Sequence, residues 1–167
     1  MNAKRVIKTF FPIFITAVLA SITGAYAANV VAKVGSSSLG KIVVNGKGMT
    51  AYYFDLDKAN SGVSVCSGAC AAVWPPITSN TVKPNVSGIS GMLGTIVLKG
   101  GKHQVTISGR PIYTYAPDKT PGQVKGQGVK GVWYVISPTG KEIKVLKLAS
   151  KSTPTPTATP TYAKPRY

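Results

Sequence analysis

Short apolar runs separated by glycine and proline fill the middle of the chain, and helical periodicity is almost absent there. KIVVNGKGMTAYYF, at residues 41–54, places two such runs on either side of an Asn-Gly pair, which is a strong hairpin signal. TIVLKGGKHQVTI, at residues 95–107, repeats the arrangement around Gly-Gly, and the stretch 131–148 turns at Pro-Thr-Gly. The pattern predicts a mainly β fold built from hairpins.

One stretch is compatible with a helix. SVCSGACAAVW, at residues 64–74, is followed by two prolines, and proline disfavours the helical region for the residue before it. We therefore expect at most one short helix, near residues 64–73.

An internal repeat becomes visible when these runs are aligned. The pattern Tyr-x-aromatic-x-x-Asp occurs twice, and each copy is followed by a glycine and then a tryptophan. The residues are Tyr52, Phe54, Asp57 and Trp74 in the first copy, and Tyr113, Tyr115, Asp118 and Trp133 in the second. This predicts two pseudo-symmetric repeats of about 60 residues each, about 36–90 and 91–149, packed as one small domain over residues 28–149.

The two ends of the chain differ from this domain. Residues 1–27 combine a basic start, an apolar run and a small-x-small site at Ala25-Tyr26-Ala27, which predicts a signal peptide cleaved after Ala27. The alternative is an uncleaved membrane anchor, although the run is shorter than a spanning helix needs. Residues 150–167 are rich in proline and threonine, which predicts a disordered tail. The protein is thus expected to be secreted or periplasmic.

The motifs make the chain resemble a bacterial secreted repeat family of unknown function, whose members are often predicted lipoproteins with a conserved Tyr-x-aromatic-x-x-Asp motif. The resemblance rests on both motif copies, on CSGACAAVWPPI and on QVTISGRPIYTYAPDKTPGQVKGQGVKGVWYVISPTG, and it covers residues 36–140. It implies an exported two-repeat domain whose activity is not established. This chain lacks the lipidation cysteine of lipoprotein members, so the resemblance does not extend to a lipid anchor.

Positive charge dominates the composition. Without the three basic residues of the N-terminal segment, 17 Lys and Arg oppose four acids, a net charge of +13. Such a field attracts polyanions, and for an exported chain anionic envelope polymers or lipid headgroups are better candidates than nucleic acid. The alternative is that the lysines only keep a β protein soluble, since they are dispersed and form no run.

Cys66 and Cys70 are the two cysteines of the chain. In an oxidising compartment such a close pair predicts a structural disulfide. Thioredoxin-like chemistry needs two intervening residues where this pair has three, and haem attachment needs a histidine where Ala71 stands.

Asp57 and Asp118 are the candidates for chemistry in the repeated motif. Each follows a predicted strand, where a carboxylate can accept hydrogen bonds from the amides of the next turn. Alternatively, the two could act as a general acid and base, or as metal ligands. We expect the structural role, since duplication favours separate symmetric turns over one shared cleft. No catalytic residue is predicted, and the protein is not expected to be an enzyme.

A glycine-rich loop follows the second motif. GQGVKG, at residues 126–131, matches a dinucleotide-binding pattern but lacks the strand and helix that this pattern requires. The loop could instead wrap an anion with its amides and two lysines. The residues of this candidate site are Gly122, Lys125, Gly126, Gly128, Lys130 and Gly131.

No cofactor or metal site is predicted. His103, the one histidine, has no serine or cysteine pattern beside it. A redox or metal or haem-linked accessory role, using His103 with Met49 or Met92, is the alternative function, although no ligand spacing supports it. The sequence favours a non-catalytic envelope protein that binds anionic polymers or acts structurally. Its oligomeric state is left open.

Overall fold

The computed structural model of the protein describes residues 29–144. The predicted signal peptide, residues 1–27, and the predicted tail, residues 150–167, lie outside this range. Within 29–144, no helix is long and apolar enough to cross a membrane.

The described chain is mainly β, as predicted. Its only α-helix, α1, is Ala69–Val73, which confirms a single short helix within the range 64–73. A single 3₁₀ turn follows at Val129–Gly131. The strands are β1 Ala32–Ser37, β2 Gly40–Asn45, β3 Tyr52–Phe54, β4 Thr78–Ser79, β5 Val86–Ser87, β6 Leu93–Val97, β7 His103–Ile107, β8 Arg110–Pro111 and β9 Trp133–Val135.

Each repeat begins with an antiparallel hairpin, β1–β2 in the first and β6–β7 in the second. The β6–β7 turn contains the predicted Gly-Gly pair, and both glycines have positive φ. Strand β1 was not predicted, because its sequence AKVGSS is rich in serine and glycine. Strand β1 nevertheless forms, because it pairs with the apolar strand β2. The two strands approach closely at Gly35, where a Cβ would lie 2.7 Å from the Val44 side chain.

Strands of the first repeat pair with strands of the second. Strand β3 of the first repeat pairs with β9 of the second, and β4 of the first pairs with β7 of the second. At the centre, the amide of Tyr52 donates to the carbonyl of Tyr113 at 2.8 Å, and the amide of Tyr113 donates back at 3.0 Å. The flanking bonds also correspond: the amide of Asp55 donates to Val132, and that of Ala116 to Val73. Neither repeat is complete alone, so the two form one domain.

Two buried clusters fill this domain. The first is mostly aliphatic and includes corresponding residues of both repeats, such as Val43 with Val105 and Ile77 with Ile136. The second is aromatic and surrounds Tyr52, Tyr113 and the two tryptophans. The repeated aromatic residues are therefore part of the core of the domain.

Candidate functional site

The two motif copies meet in crossed hydrogen bonds. The Tyr52 hydroxyl of the first repeat donates to Asp118 Oδ2 of the second at 2.6 Å. The Tyr113 hydroxyl of the second repeat donates in turn to Asp57 Oδ2 of the first. All four side chains are buried, the two carboxylates with 3% and 5% of their surface exposed. Each motif thus supplies the donor for one bond and the acceptor for the other.

Each carboxylate also holds its own following loop. Asp57 Oδ1 accepts the amide of Val65 at 2.8 Å, and Asp118 Oδ1 accepts the amide of Lys125 at 3.0 Å. We call residues 57–74 corner 1 and residues 118–133 corner 2. These are local backbone bonds of the kind that the sequence predicted for a structural aspartate.

Burial and the facing carboxylates keep both tyrosines protonated. Burial raises the pKa of Tyr52 far above its usual value, and the hydrogen bond to Asp118 raises it further. Burial and the bond to Asp57 raise the pKa of Tyr113 in the same way. The raised pKa of each tyrosine favours the protonated hydroxyl, which is the form that donates to the facing carboxylate.

The tryptophans stack on the pseudo-two-fold axis. Trp74 and Trp133 lie with ring centroids 3.7 Å apart and an angle of 1° between their planes. Phe54 stacks on Trp133 at 4.3 Å, and Tyr115 stacks on Trp74 at 4.1 Å. Four rings therefore form one column to which each repeat contributes two. With 5% and 3% of their surface exposed, the tryptophans present no open ring face for stacking on a sugar.

A cleft of about 590 Å³ opens beside this column, and we call it the aromatic cleft. Helix α1 of corner 1 borders it on one side, and the 3₁₀ turn of corner 2 borders it on the other. Neither Asp57 nor Asp118 lines it. Its lining residues are Phe54, Leu56, Ala69, Cys70, Val73, Trp74, Tyr115, Val129, Lys130, Val132 and Trp133.

The structure places the Cys66 and Cys70 sulfurs 2.00 Å apart, the distance of a disulfide. The bond lies in corner 1, where it ties the loop after Asp57 to helix α1. Cys66 is buried in the aromatic cluster, whereas Cys70 lines the aromatic cleft. The bond restrains corner 1 locally, and its structural role stays a prediction.

Four backbone amides of the predicted anion nest in the glycine-rich loop have acceptors inside the protein. The amides of Gly126, Gly128 and Gly131 donate to Tyr52, Trp133 and Gly128, and that of Lys125 donates to Asp118. Because these donors already have acceptors inside the protein, they cannot wrap an anion. Anion binding by the exposed ammonium groups of Lys125 and Lys130 stays a prediction.

The remaining two acids surround Arg110. Its guanidinium contacts Asp55 at 3.2 Å and Glu142 at a shorter distance, and Lys144 reaches Glu142 at 3.0 Å. Burial opposes ionisation of Glu142, but the neighbouring side chains of Asp55, Arg110 and Lys144 outweigh it and lower the pKa of Glu142 to about 2. Burial and the Glu142 contact raise the pKa of Asp55. Sequence reasoning missed this cluster, because its members are far apart in the chain.

The four acids of the chain are all engaged in these contacts, whereas the lysines face outward. In the described range, eleven lysines are exposed: Lys41, Lys47, Lys58, Lys83, Lys99, Lys102, Lys119, Lys125, Lys130, Lys141 and Lys144. Exposed positive charge is therefore hardly opposed by exposed negative charge.

His103 begins β7 and is half-buried. Among residues 29–144 no group of three or more His, Cys, Asp or Glu side chains is placed to hold a metal ion. Met92 lies in the open, with 68% of its surface exposed. The structure adds no ligand set to the redox hypothesis.

Comparison with known proteins gives one match. A family model described as a secreted repeat of unknown function matches residues 33–78 and 94–137, one match for each repeat. No curated protein and no solved structure matches the chain. The matched segments contain the two hairpins, the two Tyr-x-aromatic motifs and both tryptophans.

Proposed function

We propose, because the chain belongs to a family of secreted repeats of unknown function, that it is a non-catalytic envelope protein that binds polyanions through its lysines. Its targets are anionic envelope polymers or lipid headgroups. Residues 1–27 serve in this proposal as the cleaved signal peptide.

The distribution of charge carries the proposal. Asp57 and Asp118 are buried, and Asp55 and Glu142 are engaged by Arg110 and Lys144. The ten exposed lysines other than Lys144 are consequently left with little local competition for an external anion. Polyanion binding by such a surface releases counterions and falls steeply with added salt.

The geometry of the aspartates supports a non-catalytic role. A general acid and base must reach the substrate, yet each carboxylate is buried and bonded to a tyrosine and to a backbone amide. Their hydrogen bonds connect the two repeats and shape the two corners. Removing them should therefore affect folding rather than turnover.

The test is retention of the exported protein on immobilised dextran sulfate over a series of sodium chloride concentrations. We expect retention that decreases steeply with salt, because several lysines contact the polymer together. Uncharged dextran is the matched support and should retain nothing. Vesicles of phosphatidylglycerol, compared with phosphatidylcholine, then distinguish a lipid surface from a soluble polymer as the target.

Two paired variants locate the contact surface. Lys125→Gln with Lys130→Gln removes the charges of the glycine-rich loop, and Lys99→Gln with Lys102→Gln removes the same charge from the β6–β7 turn. If the glycine-rich loop is the main contact, retention of the first variant should depend less steeply on salt, and the salt dependence of the second variant should stay that of the wild type. The proposal would be contradicted if dextran and dextran sulfate retained the protein equally and if this retention did not change with salt.

A further inference from the structure

The aromatic cleft is not used by the proposed function, yet it has the features of a small-molecule site. Its volume of about 590 Å³ lies within the range of such sites, roughly 300 to 1,000 Å³. Its walls are aromatic and aliphatic, and Leu56 and Val73 stand at it with 61% and 44% of their surface exposed. Exposed apolar side chains around a concave surface indicate a binding site more strongly than scattered ones.

Two polar groups converge on these apolar walls. Tyr115 and Lys130 both line the aromatic cleft, and neither the Tyr115 hydroxyl nor the Lys130 ammonium group has a hydrogen-bond or ion-pair partner within residues 29–144. By contrast, the hydroxyls of Tyr52, Tyr53, Tyr113 and Tyr134 all donate to protein acceptors. A few free polar groups among apolar walls are what fixes the orientation of a bound small molecule.

The backbone of Lys130 adds a second observation. Its φ of 52° and ψ of 15° lie in the left-handed region, where glycine is favoured and other residues are strained. The chain nevertheless has lysine here, between Gly128 and Gly131. Strain at such a position is typical of residues whose side chain has a function.

We propose that the aromatic cleft binds a flat, apolar small molecule that carries one anionic group, with the group at Lys130 and the rings against the tryptophan column. The ligand contacts the edges of the tryptophan rings, because the faces of the two rings cover each other. The Tyr115 hydroxyl donates a hydrogen bond to the same anionic group. Lys130 is the one residue that both proposals use, whereas polyanion binding needs neither the Tyr115 hydroxyl nor the apolar walls, so the two proposals can fail separately.

A matched pair of fluorescent probes tests this site. 1-Anilinonaphthalene-8-sulfonate carries an anionic sulfonate, and N-phenyl-1-naphthylamine has the same ring system without it. Trp74 and Trp133 are the two tryptophans of the chain and both line the cleft, so energy transfer from tryptophan reports a probe bound to the folded domain, and the variants below locate its site. We expect saturable binding of both probes, with the sulfonate binding more tightly.

Two pairs of variants separate the cleft from general apolar surface. Lys130→Gln should weaken the sulfonate probe about tenfold and leave the neutral probe unchanged, while Lys125→Gln, in the same loop but outside the cleft, should change neither. Ala69→Phe fills the cleft and should abolish transfer to both probes. Ala72→Phe, exposed on the same helix but not part of the lining, should leave transfer unchanged.

Two results would overturn the site. One is probe binding that Ala69→Phe and Ala72→Phe reduce equally, which indicates adhesion to the surface. The other is a sulfonate affinity that Lys130→Gln and Lys125→Gln lower equally, which indicates the general positive field. If Ala69→Phe does not fold, the lysine pair decides alone. Salt that removes polymer retention but leaves the neutral probe bound shows that the two sites are independent.

Discussion

Corner 1 and corner 2 begin and end alike but are closed differently. Each starts at a buried aspartate that accepts a loop amide and a tyrosine from the other repeat, and each ends at a tryptophan of the column. Corner 1 is then closed by the disulfide between Cys66 and Cys70. Corner 2 has no cysteine and is closed by Gln127, whose side chain donates to the carbonyl of Ile143 and accepts the amide of Val135.

This comparison distinguishes the residues that both corners share from the closures, which differ between the corners. Tyrosine, aspartate and tryptophan occupy equivalent places in both corners, so they form the shared frame. The closure can be covalent or hydrogen-bonded. One consequence is chemical: Cys70 of corner 1 and Lys130 of corner 2 both line the aromatic cleft, so the two corners contribute different chemistry to it.

The largest effect is expected from the shared frame. Asp57→Ala and Asp118→Ala should each lower the free energy of unfolding by about 3 kcal/mol, because each removes the carboxylate that accepts from a buried tyrosine hydroxyl and from a loop amide. Urea unfolding of each variant measures the loss. Lys58→Ala and Lys119→Ala, at the exposed neighbours, should stay close to the wild type. Losses that differ by more than about 2 kcal/mol between the two aspartates would show that the corners are not equivalent.

A smaller effect is expected from the covalent closure. Cys66→Ser with Cys70→Ser should cost about 2 kcal/mol, because the bond closes a loop of only five residues and removes little entropy from the unfolded chain. Denaturant unfolding of the variant and of the reduced wild type should give the same loss. A loss as large as that of Asp57→Ala would mean that the disulfide belongs to the frame rather than to the closure.

The smallest effect is expected from the hydrogen-bonded closure. Gln127→Ala should cost about 1 kcal/mol, because it removes two hydrogen bonds of a half-buried side chain. Ser67→Ala, in the loop of corner 1 where the side chain is exposed, is the control and should change the stability by less than about 0.5 kcal/mol. Equal thermal midpoints for the wild type and Gln127→Ala would show that glycine-rich packing alone closes corner 2.

The sequence predicted the repeat, the β class and the short helix, because each depends on local spacing. Two aromatic residues two positions apart share one face of a strand, and the residue type of the motif recurs in both copies. The prolines after Trp74 placed the predicted helix near residues 64–73, and the structure has it at Ala69–Val73. The family match confirms the two-repeat interpretation of residues 33–78 and 94–137.

The crossed pairing could not be predicted, because spacing within one repeat does not specify a partner in the other. Tyr52 and Asp118 carry no mutual signal beyond belonging to the same motif. Strand β1 was missed for a related reason, since its serines have little strand preference and its stability comes from β2. The glycine-rich loop shows the opposite case. Its composition suggests free backbone amides, but several of these amides donate to acceptors inside the protein.

The crossed contacts also set when this chain can fold. The Tyr52 hydroxyl finds its acceptor 66 residues further on, and the Tyr53 hydroxyl reaches the carbonyl of Gly140, 87 residues away. A secreted chain that emerges from its amino end releases the first repeat while the partner strands of that repeat are still on the near side of the membrane. The first repeat alone cannot complete the core of the domain, so we expect the chain to remain unfolded until nearly the whole domain has crossed the membrane. Strand pairing between the repeats thus makes folding depend on both repeats being present.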